Sequence, residues 1–368
     1  MKILITITKG NIGGAQIVVL NMAKSLKERG HFVVVGLGEG EFLKDKLNEI
    51  NIPVNIFKTL KRTNNPLENL KFIYEMKKYV DKEKFDVVHF NSSNTLLGAI
   101  GVKISDYKIK TVFTFHGLST LDSNYSNTIS KIIYWIIFKF LLIFINENIF
   151  VSYDNLKKLI RLKLIKKGTV IYNGLDSDTI EIIKKTNAIK MIEGRINHSI
   201  KNSFIIGSIG RFSREKNYEF LISIFPKILE INKESVCVII GDDSKEKAHL
   251  ENLVTGLGLK DKVFLISETE RATKYIKIFD LFVLPSLYEG LSVSLIETLF
   301  AEIPAIASDV GGNKEILNDN FTYKLNNNID FLELFKKVYC NKIKQDFEKQ
   351  KPLFSTPKMI DKLERMYK

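Results

Sequence analysis

An α/β protein made of two doubly wound parallel-sheet domains in tandem is the architecture predicted for this chain of 368 residues. Short apolar runs alternate with amphipathic helical patterns along its length, as strand–helix–strand crossovers require. The alternation comes in two sets, parted by a polar stretch over 176–201 without a strong strand. Each set opens on a strand, a glycine-bearing turn and a helix, the arrangement that binds anions in open α/β sheets.

In chain order, the first set offers strands at 3–8, 32–37, 54–57, 87–90, 111–115, 149–152 and 169–172. They are near-continuous apolar runs, which suits strands covered on both faces. A helix is predicted over 15–29, with Gly30 as its stop signal. Residues 131–145, Lys-Ile-Ile-Tyr-Trp-Ile-Ile-Phe-Lys-Phe-Leu-Leu-Ile-Phe-Ile, form the most apolar stretch of all. A spanning helix needs about 20 apolar residues, and Lys139 interrupts this one, so it is not a membrane span. Two readings remain: a buried helix of the first domain, or an element whose aromatic and lysine side chains face a bilayer surface. The second set offers strands at 204–208, 236–241, 263–266, 281–284 and 305–308, with a helix over 218–231. After Pro352 and Pro357 the tail is helical in pattern. The domains are therefore expected at 1–180 and 203–353, with a linker at 181–202 and a terminal helix at 354–368.

Composition narrows the function. Hydrophobic residues make up 45%, enough for two ordinary cores. The two cysteines, Cys237 in an apolar run and the distant Cys340, make neither a disulfide framework nor a metal cluster, and fit a reducing cytosol. The apolar start of the chain is too short for a signal peptide and reads as the first strand. A cytoplasmic location is expected, with a peripheral one on the cytoplasmic face of the inner membrane as its variant. The net charge of +13 is uneven: residues 1–200 hold 30 Lys and Arg against 18 Asp and Glu, and the remainder holds 25 against 24. Such a first half attracts anionic lipid headgroups, a phosphate-bearing substrate or nucleic acid, or is simply a solvated lysine surface. Zinc spacing and RNP-like aromatic runs are missing, so no nucleic-acid partner is expected. No G-x-G-x-x-G follows either first strand, which argues against a dinucleotide oxidoreductase.

The unusual residues gather beyond strand ends. Asn11-Ile12-Gly13-Gly14-Ala15 follows the first strand, where glycines let backbone N–H groups approach a ligand at a helix N-terminus. Phe115-His116-Gly117 ends another strand, and a histidine there can donate to or accept from a sugar. Gly210-Arg211-Phe212-Ser213-Arg214-Glu215-Lys216-Asn217 places a guanidinium fork and a point charge around one strand–helix turn, which suits a diphosphate. The most specific string runs from Pro285 to Glu297. In it Glu289 occupies a turn, and the N–H groups of Gly290, Leu291 and Ser292 open a helix that carries Glu297. A carboxylate accepts two hydroxyl hydrogens at once, as ribose or sugar recognition needs. Asp176-Ser177-Asp178 spells a metal-binding D-x-D but starts the polar stretch and is set aside as a decoy. Asp242-Asp243 read as turn residues and helix N-caps.

Together with Asn173-Gly174-Leu175-Asp176 and Ser308-Asp309-Val310-Gly311-Gly312-Asn313-Lys314-Glu315, these strings resemble family 4 glycosyltransferases of the GT-B fold, in order and over essentially the whole chain. The resemblance implies two Rossmann-like domains facing a central cleft, with the acceptor on the first and a nucleotide sugar on the second. It also implies a final helix that crosses back to the first. It implies further that Arg211 and Lys216 hold the diphosphate, Glu297 the ribose hydroxyls and Glu289 the donor sugar. His116 would lie at the reacting centre and Gly14 near the phosphate or acceptor. Retention of anomeric configuration is implied, with neither metal nor cofactor. The chain departs from the family at Glu302, where glycine is frequent, and at Ile266-Ser267-Glu268, where a glycine is usual. The expected partners are a nucleotide sugar, a lipid-linked saccharide in bacterial surface polysaccharide assembly and an anionic membrane surface. The competing reading is a non-catalytic, nucleotide-binding partner of such a complex.

Overall fold

The computed structural model describes residues 1–63, 65–117, 128–176, 180–268 and 272–368, without the side chains of 128–130. The chain divides into two compact units, Met1–Leu175 with Leu353–Lys368, and Asp176–Pro352.

The first unit runs β1 (Lys2–Lys9), α1 (Gly14–Glu28), β2 (Phe32–Glu39), α2 (Glu41–Glu49), β3 (Val54–Ile56), α3 (Pro66–Glu83), β4 (Val87–Phe90), α4 (Gly98–Lys103), β5 (Lys110–Phe115), α5 (Thr128–Leu141), β6 (Glu147–Phe150), α6 (Tyr153–Arg161) and β7 (Thr169–Val170). The strands form one parallel sheet in the order β3-β2-β1-β4-β5-β6-β7. β4 is buried along its whole length and β1 along all but its ends, as sheets covered on both faces demand.

In the second unit the order is α7 (Lys185–Ile196), β8 (Phe204–Ile209), α8 (Tyr218–Ile231), β9 (Ser235–Gly241), α9 (Lys245–Gly256), β10 (Val263–Ser267), β11 (Leu281–Leu284), α10 (Val293–Phe300), β12 (Ala305–Ser308), α11 (Asn313–Leu317), β13 (Thr322–Tyr323), α12 (Asn328–Tyr339) and α13 (Phe347–Gln350). Its sheet is parallel, in the order β10-β9-β8-β11-β12-β13. α7 lies in the stretch read as linker and packs on this unit. Lys185 pairs with Asp280, and Arg195 bonds Glu268, a residue of the loop where glycine is usual. Gly207 shows how close the sheet packs: a Cβ there would lie 1.8 Å from the Val238 carbonyl oxygen.

The final helix, α14 (Thr356–Tyr367), belongs to the first unit. Gly174 permits its return, since a Cβ at that position would come 2.6 Å from the Thr356 Cα. Glu364 on α14 accepts from Arg29 and pairs with His31, and these partners hold its carboxyl below the usual range, His31 most strongly. At the helix end, the Tyr367 hydroxyl bonds His89 Nδ1 at 2.7 Å inside the sheet. Thr114 Oγ1 takes the other ring nitrogen at 2.7 Å. Burial pushes the His89 pKa down to about 3, so the ring stays neutral.

The segment 131–145 is buried on one side only, so the first sequence reading holds for half of it. Phe138, Leu141, Leu142 and Ile145 enter the core of the first unit, while Ile132, Ile133, Ile136, Ile137 and Phe140 are exposed on the other side.

Tyr367→Phe leaves one buried nitrogen of His89 without a partner. Urea unfolding is expected to show a loss of about 1–3 kcal/mol, and an unchanged midpoint would remove this anchor from the account.

Candidate functional site

Both sheets reverse their strand order next to the first strand, β1 beside β4 and β8 beside β11. Helices leave in opposite directions there, so the loops beyond the carboxyl ends stand open to a ligand. In the second unit these loops are Gly210–Asn217 and Pro285–Ser292, distant in sequence and adjacent in space. They are stapled by Leu287 N–H donating to the Glu215 carbonyl at 2.8 Å and by the Asn217 amide donating to the Pro285 carbonyl at 3.0 Å.

At this junction the Lys216 ammonium lies 2.7 Å from Glu289 Oε1, which also accepts from the Ser286 hydroxyl at 2.7 Å. The two charged side chains keep only 16% and 13% of their surface exposed, so the pair is largely desolvated. Glu297 stands on α10 near the same ammonium. Part of the residue meets solvent, yet desolvation pushes its carboxyl up to about 7, against the opposing pull of the Thr273 hydroxyl and of Lys216. Arg211 is the exposed cation of the group: its side chain is 61% exposed and pairs with Glu215 at 2.6 Å within its own turn. Ser292 is the N-cap of α10, its hydroxyl accepting from Leu295 N–H at 3.3 Å.

The loop after β12 supports the Glu289 turn from beneath. Gly312 N–H donates to the Gly290 carbonyl at 2.9 Å. Gly311 has φ 53°, and a Cβ on it would lie 2.0 Å from the Glu289 carbonyl oxygen, so only glycine fits. Asp242 Oδ1 accepts from Phe212 N–H at 2.6 Å and fixes the turn after β8. The expectation that Asp242-Asp243 cap a helix is corrected: Ser244 occupies the N-cap position of α9, and Asp242 anchors a neighbouring loop instead.

In the first unit, Gly14 opens α1, whose N-terminal turn has neither a side-chain cap nor an acid. His116 follows β5, and its Nε2 lies 2.9 Å from Asn91 Oδ1 at the end of β4. The Asn91 amide donates to the His89 carbonyl at 3.3 Å, which leaves Oδ1 to accept and places the His116 proton on Nε2. Nδ1 is then an acceptor. Burial lowers the His116 pKa to about 4, so the ring is neutral at pH 7.

The structure thus gathers Arg211, Lys216, Glu289, Gly290, Leu291, Ser292 and Glu297 at one switch point and sets Gly14 and His116 at the other. Asn91, Ser286 and Thr273 escaped the sequence reading. The signal for Asn91 was its place at a strand's carboxyl end, parallel to that of His116. Glu302 adopts φ 58°, the left-handed conformation a glycine would take there, and pairs with Lys351. Of the decoy Asp176-Ser177-Asp178, residues 177 and 178 lie outside the described part.

Comparisons with known proteins cover both units. A family model described as glycosyltransferase family 4 matches residues 12–179, and one described as glycosyl transferases group 1 matches 192–350. A UDP-Gal:alpha-D-GlcNAc-diphosphoundecaprenol alpha-1,3-galactosyltransferase of Escherichia coli is 28% identical, covering 89% of this chain and 85% of its own. The capsular polysaccharide biosynthesis glycosyltransferase CapH of Staphylococcus aureus is 26% identical, covering 95% and 92%. The crystal structure of Anabaena Alr3699/HepE in complex with UDP and glucose superposes with a TM-score of 0.82 at 19% identity, over 100% of this chain and 99% of that one.

Glu297 sets a pH signature. Folded, it keeps its proton to about 7, whereas an unfolded glutamate releases it near 4.5. Between these values the folded state binds more protons, so stability falls as pH rises. Glu297→Gln removes that slope. Its stability relative to wild type is expected to rise from pH 4.5 to 8 by up to ~2 kcal/mol, and parallel profiles in urea unfolding would refute the burial of this charge.

Proposed function

This chain belongs to the group 1, family 4 glycosyltransferases, nucleotide-sugar dependent enzymes with two Rossmann-like domains, and from that premise we propose that it transfers the sugar with retention onto a hydroxyl of a lipid-linked saccharide. The setting proposed is assembly of a bacterial surface polysaccharide: capsule, O-antigen or exopolysaccharide. The observation that carries the reading is the Lys216 ammonium held 2.7 Å from Glu289 and near Glu297, at the mouth of β8 and β11. One cation and two carboxylates match a diphosphate flanked by two sets of hydroxyls. The acceptor is supported by the E. coli relative, whose name states a diphosphoundecaprenol substrate, and the polysaccharide setting by the CapH relative.

In the proposed reaction the bond from the anomeric carbon to the diphosphate oxygen breaks. The electron pair leaves with the phosphate, where Arg211, Lys216 and the amides of Gly290, Leu291 and Ser292 stabilise the growing charge. The acceptor oxygen bonds the anomeric carbon on the same face, and its proton passes to the departing phosphate oxygen. Glu289 accepts from donor-sugar hydroxyls and Glu297 from the ribose. Gly14 offers backbone to phosphate or acceptor. His116, neutral and oriented by Asn91, accepts through Nδ1 from a sugar hydroxyl. This scheme uses the protein's own charges and needs no cofactor or divalent metal, so EDTA should leave turnover unchanged.

A hydrogen bond to a charged group contributes about 1.5–3 kcal/mol, which corresponds to about 10–150-fold in rate. Lys216→Ala and Glu297→Ala are each expected to fold and to lose at least tenfold in turnover. The donor is to be found with a panel of nucleotide sugars by thermal shift, and the product anomer read by NMR. Full activity in both variants would overturn the donor site, and an inverted product the proposed route.

A further inference from the structure

Among the described residues, none covers the outer half of α5. Ile132, Ile133, Ile136, Ile137 and Phe140 recur at helical spacing on its outer side, each between 44% and 57% exposed, and Ile143 just beyond is 74% exposed. Solubility alone would place polar residues here, and a contiguous apolar face of this size marks a contact.

Its surroundings say with what. The Trp135 indole N–H donates to the Leu162 carbonyl at 2.6 Å, which ties α5 to the segment after α6. The end of α6 and that segment carry Lys157, Lys158, Arg161, Lys163, Lys166 and Lys167 within 157–167, and no acid occurs between Asp154 and Asp176. All six but Lys158 are exposed. The acids of the whole stretch 128–175 are Glu147 and Asp154, against these six cations and Lys131 and Lys139. Lys139 itself lies 4.3 Å over the Trp135 ring, a further cation on the helix that bears the apolar strip.

We propose that the exposed face of α5 and the basic segment 157–167 together form a docking surface for an anionic lipid bilayer, with α5 lying in the plane of the headgroups. An apolar strip inserts into the headgroup–acyl boundary while lysines beside it meet lipid phosphates. No described helix is long and apolar enough to cross a membrane, so the helix lies on the surface. A second copy of the chain fits worse: a two-fold contact through this face sets one basic segment against the other. The lipid-linked acceptor proposed above would reside in the same surface. The docking surface rests on that reading only for its purpose.

The test uses the whole protein and neither donor nor acceptor, so its failure leaves the sugar-transfer reading standing. Co-sedimentation compares vesicles of phosphatidylcholine with vesicles of equal parts phosphatidylcholine and phosphatidylglycerol. Trp135 is the single tryptophan of the chain and reports on α5 directly. Wild type is expected to bind the anionic vesicles at least ~10-fold better, with Trp135 quenched by brominated lipid. The variant Ile133→Ser/Ile136→Ser/Phe140→Ser and the variant Lys163→Glu/Lys166→Glu/Lys167→Glu are each expected to lose at least ~30-fold in partitioning. Both alter exposed side chains, and unchanged circular dichroism and melting temperature confirm their fold. Wild type that ignores anionic vesicles, variants that bind as wild type does, or binding that leaves Trp135 unquenched each overturn the proposal. A dimer that the serine variant dissolves, without vesicle binding, gives the face to a second copy instead.

Discussion

Everything at the junction of β8 and β11 depends on one ammonium serving two carboxylates. Lys216 and Glu289 are largely desolvated, a state that is costly for either charge alone and tolerable only as a pair. Glu297, close to the same ammonium, is held mostly protonated below pH 7 by burial. Without ligand, then, the group is near electrical balance. In the proposed reaction a diphosphate would offer Lys216 a stronger partner and free Glu289 to accept from hydroxyls, with the ion pair as its placeholder. It holds the ammonium where a phosphate would need it, so the rotamer ordering is already done before a ligand arrives.

That pair exists only because two loops approach within backbone contact, and glycine decides how near they come. A Cβ at Gly311 would intrude on the Glu289 carbonyl, and one at Gly241 would lie 2.4 Å from the Gly210 carbonyl. The Glu289 turn therefore rests on the loop after β12, and the Arg211 turn rests on the end of β9. The carboxylate and the ammonium are each placed by the sheet rather than by their own flexible chains. Reversal of strand order at β8 and β11 supplies the opening, and these contacts supply its rigidity.

The strands were legible because parallel strands covered on both faces must be apolar throughout, and β4 and β9 are buried from end to end. β13, only Thr322–Tyr323, escaped because two residues carry no period. The loops of Lys216 and Glu289 were legible because charge, glycine and a helix start coincide there. Asn91 and Thr273 were not, since a lone polar residue has no pattern and only the fold shows what it touches. Glu302 was visible as a departure, but its left-handed backbone and its pairing with Lys351 are tertiary facts. For α5, composition is apolar around the whole helix, so periodicity could not say which half is covered.

The uncovered half of α5 also explains where the charge of the chain lies. An exposed strip of isoleucines invites self-association, and like-charge repulsion is the general remedy. The unit that carries the strip, 1–175 with 353–368, holds 30 basic against 16 acidic side chains, while the other holds 25 against 26, so the repulsion is concentrated on the first. The same lysines that keep free molecules apart attract a surface of opposite sign. Neither effect needs a specific contact from any one lysine, and five of the six cations of 157–167 are exposed. The apolar face by contrast is fixed: Phe138 and Leu142 are buried in the core, and Trp135 is bonded to Leu162. A rigid apolar strip bordered by loosely held charge suits an interface that is itself fluid, whereas a folded protein partner would be met by paired and ordered charges.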